Sequence, residues 1–172
     1  MNVDLFKEKL ELGGARPNLF NVIVDFPGGT GGSNVETSFM CKGAQLPASI
    51  VGQIDVPYRG RQLKVAGDRT FENWTITLFN DVSFDVRDSF ERWMNLINNH
   101  ADNQGLVDPQ SYQRDVVVQQ LDRNGNNVKS YSLRGAFPVN VSGIDLAYET
   151  NDTIEEFTVE FAYQYWTART TS

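Results

Sequence analysis

Asp122, Asn124 and Asn126 present side-chain oxygens at alternate positions, which is how a calcium-binding loop begins. Such a loop wants glycine at its sixth position and glutamate at its twelfth, and the chain has Asn127 and Leu133 there. The Asn124-Gly125 pair in the same stretch signals a hairpin turn, which is the better reading. Asp81, Asp85 and Asp88 gather three carboxylates at the start of a helical pattern. There they offset the helix dipole and need do no acid–base work. Residues 28–33 are glycine-rich, but a phosphate cradle needs a lysine or a helix directly after it, and residues 35–42 alternate like a strand. His100 is the only histidine and Cys41 the only cysteine. That excludes an HExxH site, an intrachain disulfide and a paired-cysteine metal site. His100 comes just after the helical pattern, where the dipole favours it, and Cys41 reads as a small buried hydrophobe. The serines lack histidine-and-acid support. No catalytic residue, cofactor or metal site is assigned.

The elements that would position these residues are mostly strands. Phe20, Val22, Val24 and Phe26 alternate along residues 18–26. Val35, Thr37, Phe39 and Cys41 alternate along residues 35–42, so the two runs are expected to form a hairpin around the glycine-rich turn. Trp74, Ile76 and Leu78 mark a strand within residues 69–80. The period then changes. Val86, Phe90, Trp93, Met94 and Ile97 form one stripe of an amphipathic helix, with Ser83 or Asp85 as its expected cap and an asparagine-rich stop. Four more β runs occupy residues 115–121, 128–133, 136–141 and 154–166, the last carrying Phe157, Val159, Phe161, Tyr163 and Tyr165 in alternation. The fold class is mainly β: an antiparallel sandwich or rolled barrel with one flanking α-helix and a long extended loop. Residues 16–166 are expected to form the domain, between an N-terminal arm (1–15, with Leu5, Phe6 and Leu10 in a short helix or ordered segment) and a C-terminal tail (167–172).

Residues 43–68 fit no core element, because their apolar side chains are scattered among two prolines and several glycines. They read as an excursion from the domain body, and such excursions are usually functional. Arg59, Arg61 and Lys64 stand among Ile54, Val56, Tyr58, Leu63 and Val65, a mixture typical of protein contacts. A surface loop packed on its own domain explains the same composition. The net charge of −7 makes the chain a poor candidate for gripping nucleic acid through phosphates. No apolar run is long enough for a membrane-spanning helix, and charges interrupt the N-terminal segment as they would not in a signal peptide, so the chain is expected to stay where it is made.

The runs Arg16-Pro17-Asn18-Leu19-Phe20, Cys41-Lys42-Gly43-Ala44-Gln45-Leu46-Pro47, Val65-Ala66-Gly67-Asp68-Arg69-Thr70-Phe71-Glu72-Asn73-Trp74 and Arg134-Gly135-Ala136-Phe137-Pro138-Val139-Asn140-Val141 resemble the tail tube proteins of contractile-tailed bacteriophages. With the closing aromatic strand, the likeness runs from about Arg16 to Trp166. It departs in the turn Gly28–Asn34, which is longer than the family's hairpin and leaves open what that turn touches, an extended tip having the reach for a neighbouring ring or the sheath.

The resemblance implies a structural subunit, not an enzyme. Subunits of that family form hexameric rings that stack into a hollow tube inside the sheath, in a virion tail assembled in the host cytoplasm. The genome passes through without specific binding. Implied partners are further copies of the chain, the tail sheath protein, the tape measure protein, the baseplate tube initiator and the tail terminator. A tube-initiator paralogue, or the inner tube of a bacterial contractile injection system, shares the same pattern. If each of six subunits lends four strands, a barrel of about 24 strands tilted ~45° has a backbone diameter of about 50 Å and a bore of about 40 Å, wide enough for duplex DNA. Six copies at −7 each put −42 on a ring, which would repel phosphates and let DNA slide. The expected subunit and ring contacts are Ile54, Val56, Tyr58, Arg59, Arg61, Leu63, Lys64, Asp68 and Arg69. Asp68 and Arg69 form an ion pair across subunits, at the loop's anchor, or within the chain. Asp55 and Glu160 are the candidates for facing the lumen, and the acidic outer face of the helix is expected to meet the sheath.

Overall fold

A long strand that belongs to two sheets organises the architecture. The computed structural model describes residues 3, 4, 7 and 14–171, so most of the expected N-terminal arm lies outside the described residues. In chain order the elements are β1 (Phe20–Val24), α1 (Asn34–Met40), β2 (Cys41–Ala44), β3 (Ile50–Tyr58), β4 (Arg61–Thr70), β5 (Trp74–Phe79), α2 (Asp85–Ile97), α3 (Pro109–Tyr112), β6 (Arg114–Leu121), β7 (Asn127–Val141), β8 (Glu156–Ala162) and β9 (Tyr165–Ala168). Seven of the strands join through the order β1-β6-β7-β8-β5-β2, with β9 also on β7, and β3 and β4 pair only with each other. All pairings are antiparallel.

β7 is long because it spans both sheets. Its first half pairs with β6 and β9, and its second half pairs with β8. Between them Gly135 takes φ +62°, which a side chain tolerates poorly. The inward face of β7 accordingly shifts from Leu133 to Ala136 and Pro138. The same shift splits the aromatic run at 154–166. Phe157, Val159 and Phe161 are buried in β8, but Tyr165 is exposed and Ala168 buried in β9. The last strand thus extends two residues into the stretch read as a tail.

The inner faces of both sheets share one core with α2. Val22, Val24, Ile76, Leu78, Val116, Val118, Leu133, Phe157, Val159 and Phe161 close around Phe90 and Trp93. The helix therefore turns inward the stripe that its periodicity predicts. Its N-cap is Phe84 at φ +60°, with no side-chain cap bond; the hydroxyl of Ser83 is occupied by Asp81 and Asp85 instead.

The expected hairpin of residues 18–26 with 35–42 is not formed. β1 pairs with β6, from Phe20 opposite Gln120 to Val24 opposite Val116. Residues 34–40 are helical and only then does β2 begin, on β5. The local cause is a cap: the Ser33 hydroxyl accepts from the backbone N–H of Glu36 at 3.3 Å. The glycine-rich turn does not project. Thr30 is buried, Arg92 of α2 donates to its carbonyl at 3.0 Å, and Phe26 stacks toward Phe90 and Trp93 with ring centroids 5.1 and 5.6 Å away. Gly32 lies so close to the Phe26 ring that a Cβ there would sit 2.3 Å from it. Within the chain, the turn packs on α2.

Candidate assembly interface

The excursion is a β-hairpin that stands off the body. Every residue of β3 is exposed, and so is β4 apart from Gly67. Opposed residues of an antiparallel pair share a face, and neighbours along a strand alternate. The register puts Ile54 opposite Val65 and Val56 opposite Leu63, so these four and Tyr58 make one apolar face. Gln53, Asp55, Gln62 and Lys64 make the other. Tyr58 is opposite Arg61, which places a cation at the tip end of the apolar face. Leu63 and Tyr58 remain 62% and 65% exposed, and a two-stranded ribbon with such a face is marginal on its own in water. The tip is Arg59-Gly60 with φ +46° and +81°, the signature of the tight turn that suits strand twist. The Arg59 guanidinium lies over the Tyr58 ring at 5.4 Å.

Two tryptophans fix where the hairpin leaves. The indole N–H of Trp74 donates to the Gln45 carbonyl at 2.6 Å and that of Trp166 to the Ala48 carbonyl at 2.9 Å. Both hold the linker between β2 and β3, so the ribbon is anchored at its root and open along its length. The register slips between Val51 and Gln53, where the backbones of Gly52 and Gly67 approach; a Cβ on Gly67 would meet the Gly52 carbonyl oxygen at 3.2 Å.

Asp68 sits at that slip and Arg69 opposite Val51. They do not pair with each other. The side-chain ion pairs among the described residues are Lys42–Glu156, Arg87–Glu91, Arg92–Asp88 and Arg134–Asp115. The intrachain version of the Asp68–Arg69 pair is therefore absent. Asp55 lies on the polar face opposite Lys64. Glu160 lies on the outward face of β8, opposite Thr75, and accepts from the Asn73 amide at 2.8 Å. The two carboxylates thus belong to different sheets.

Sequence patterning does not single out a second surface, the connection between β7 and β8. Residues 142–156 hold Asp145, Glu149, Asp152, Glu155 and Glu156 with no lysine or arginine. Residues 143–148, 150 and 153–156 line a groove of about 850 Å³, and Leu146, Tyr148 and Ile154 are exposed. The available signal is the uninterrupted acidic composition, which is masked because Ile154 reads as the start of the aromatic strand.

The groups that invite a chemical reading serve structure. Asp122 accepts from the backbone of Asn124 and Asn126 at 2.7 and 2.8 Å and from the Asn126 side chain at 3.1 Å. The Asn126 bonds hold its carboxyl below the usual range. Burial pushes the Cys41 thiol up to about 11, so it is no nucleophile near neutrality. Among the described residues no three histidine, cysteine or acidic side chains gather where a metal ion would bind.

An exposed anchored ribbon and open strand edges are what a subunit that joins other chains presents. Residues 15–169 match the phage tail tube protein family. The chain belongs to that family. It is 35% identical over 153 residues to the tail tube protein of Enterobacteria phage T4, covering 88% of this chain and 90% of that one. It is 33% identical over 166 residues to the tail tube protein of Serratia phage KSP90, covering 94% and 93%. Its fold matches that of a chain in the sheath–tube complex of an extracellular contractile injection system, with TM-score 0.64, 14% identity and coverage of 94% and 96%. As a tail tube protein the chain is a structural component of the virion tail, and its family is not one of enzymes. Among the described residues no helix is long and apolar enough to cross a membrane.

Proposed function

We propose that six copies of the chain close into a ring, that rings stack into a hollow tube within a contractile sheath, and that the genome passes down the bore. The observation that carries this is the β3–β4 ribbon, whose outer edges and apolar face have no partner within the described residues of the subunit. Open edges pair with other chains, and copies of the subunit itself supply the pairing in a closed ring. Ile54, Val56, Tyr58 and Leu63 become buried between subunits, while Arg59, Arg61, Lys64, Asp68 and Arg69 supply the charged rim. Asp55 and Glu160 face the bore and contribute to a lining that does not hold phosphates. The outward face of α2, with Asp85 and Glu91 exposed, meets the sheath protein. The tape measure protein, tube initiator and tail terminator are contacted inside and at the ends of the tube.

Electron microscopy of the purified protein with sheared tube fragments as seeds tests the proposal. Extension into sixfold hollow tubes with a bore of about 40 Å supports it. Rings that never elongate from a seed overturn it in favour of an initiator. Tubes that form normally with Arg69→Glu remove that residue from the contact.

A further inference from the structure

We propose that Asn124 is a site of spontaneous deamidation, and that the neighbouring Asp122 carboxylate sets its rate by holding the turn closed. This chemistry takes place within one chain and does not rest on the tube function.

The sequence supplies the reacting pair. Of the asparagines in the chain, Asn124 alone precedes a glycine. A side-chain amide is lost when the backbone nitrogen of the next residue attacks the amide carbon, and a Cβ on that next residue crowds the approach. Gly125 has none, and nothing lies within 4 Å of where one would stand. Both residues are exposed, so water and base reach them. The side chain is also free to react. Asn126 donates its amide to Asp122 at 3.1 Å and Asn127 donates to the Ser130 hydroxyl at 3.0 Å, but the Asn124 amide has no hydrogen-bond partner among the described residues.

The reaction needs only water. The Gly125 nitrogen gives its proton to a solvent base and bonds to Asn124 Cγ. The Cγ–Nδ2 bond breaks, and the leaving nitrogen takes a proton from solvent and departs as ammonia. Water then opens the resulting succinimide. Breaking the new bond to Cγ leaves aspartate. Breaking the bond to the original backbone carbonyl leaves isoaspartate, with the chain rerouted through the side-chain carbon. Nothing is oxidised or reduced. Either product sets a second carboxylate beside Asp122, and isoaspartate lengthens the backbone of the turn that joins β6 to β7.

Asp122 opposes the first step. Its Oδ1 accepts from the N–H groups of Asn124 and Asn126 at 2.7 and 2.8 Å, on either side of Gly125. Its backbone carbonyl accepts from the Gly125 N–H at 3.2 Å, so the attacking nitrogen is already engaged. Its own N–H closes the turn on the Asn126 carbonyl at 2.9 Å. Cyclisation requires the Gly125 nitrogen to swing toward the Asn124 side chain, and these bonds resist it. Attack therefore waits for local opening of the turn.

Incubating the purified chain at mildly alkaline pH, folded and in urea, tests both parts, with peptide mass spectrometry and isoaspartate-specific methylation as readouts. Asn151 is exposed like Asn124 but precedes Asp152, so it serves as the internal comparison. In the folded chain Asn124 is expected to react at least about tenfold faster than Asn151. Gly125→Ala should slow Asn124 in urea at least about tenfold. Urea should speed Asn124 in the parent chain at least about threefold, because the turn no longer guards it. Asp122→Ala should bring the folded rate to within about twofold of the urea rate, while Asp122→Asn, which keeps an acceptor oxygen, stays within about twofold of the parent. The folded-to-urea comparison on the parent needs no variant and tests the guard even where Asp122→Ala does not fold. Asn124 reacting no faster than Asn151 overturns the site. Equal rates in the folded chain and in urea, or a folded Asp122→Ala chain that reacts at the parent's rate, overturn the guard.

Discussion

The indole N–H of Trp166 donates to the Ala48 carbonyl across 118 residues of sequence, tying the last strand to the linker that launches the ribbon. The same indole meets the Tyr131 ring edge-on at 5.3 Å, so it is packed as well as bonded. Trp166→Phe keeps an aromatic ring and removes the donor. It is expected to cost about 1 kcal/mol in urea unfolding. Hydrogen exchange at residues 46–52 should accelerate, while exchange in β6 stays unchanged. Equal acceleration in both places would show that the bond holds the whole domain and not the ribbon's root.

Leu63 separates assembly from folding. Its side chain is exposed and opposite Val56 on the ribbon's apolar face. Leu63→Asp is expected to leave monomer stability within about 0.5 kcal/mol, as for other surface changes. Seeded tube growth should fall at least about tenfold, since a carboxylate would be buried without a partner. Normal growth would place the apolar face outside every subunit contact.

How far each element is legible in the sequence depends on where its deciding interaction lies. The stripe Val86, Phe90, Trp93 and Ile97 identifies α2 because burial of one face is itself periodic. Residues 35–41 show the opposite case. Val35, Thr37, Phe39 and Cys41 alternate, yet the backbone is helical up to Met40 and both Val35 and Phe39 stay exposed. The Ser33-to-Glu36 cap is the contrary signal, and over so short a segment it outweighs alternation. The excursion is legible from the prolines and glycines that surround its two short alternating runs, which the sequence does not join to the core strands. The groove beside the β7–β8 connection is not, because it is formed by residues brought together by the fold and marked by no apolar period.

Phe161 is the junction of the aromatic core. Its ring centroid lies 5.9 Å from those of Trp74 and Phe90 and 6.2 Å from that of Trp93. Phe161→Ala should cost about 3–5 kcal/mol, a large part of a typical domain's stability. Chemical denaturation measures it, and a loss below about 1 kcal/mol would mean that the site collapses to fill the space.

Cys41 links pH to folding. Burial outweighs the opposing backbone hydrogen bond of Gly43 and raises the thiol from 9.0 to about 11. A raised folded value favours the neutral thiol in the native state. The resulting stability is fully present below the unfolded value and disappears as pH rises through the folded one. Between pH 9 and 11 the native protein should lose stability, and Cys41→Ala should remove that part of the slope. Below about pH 8.5 a thiol reagent should modify Cys41 more slowly than a free cysteine peptide. Modification at the peptide's rate would mean that the thiol is open to solvent.

Gly135 decides how one strand serves two sheets. Its φ of +62° lets β7 change its inward face between Leu133 and Ala136, and β8 and β9 change theirs in step. A Cβ there would adopt the left-handed region and stand 3.1 Å from both the Gln113 side-chain oxygen and the Gln164 Cγ. Both neighbours are flexible side chains that can move aside, so the backbone conformation carries most of the penalty. Gly135→Ala is expected to cost about 1–2 kcal/mol. Gly135→Asn should cost less, because asparagine tolerates this region. Urea unfolding of the pair checks the order. Equal losses would move the cause from φ to side-chain crowding. No loss in either would mean that the bend is imposed by Asp115, which accepts from the Gly135 N–H at 3.3 Å and pairs with Arg134.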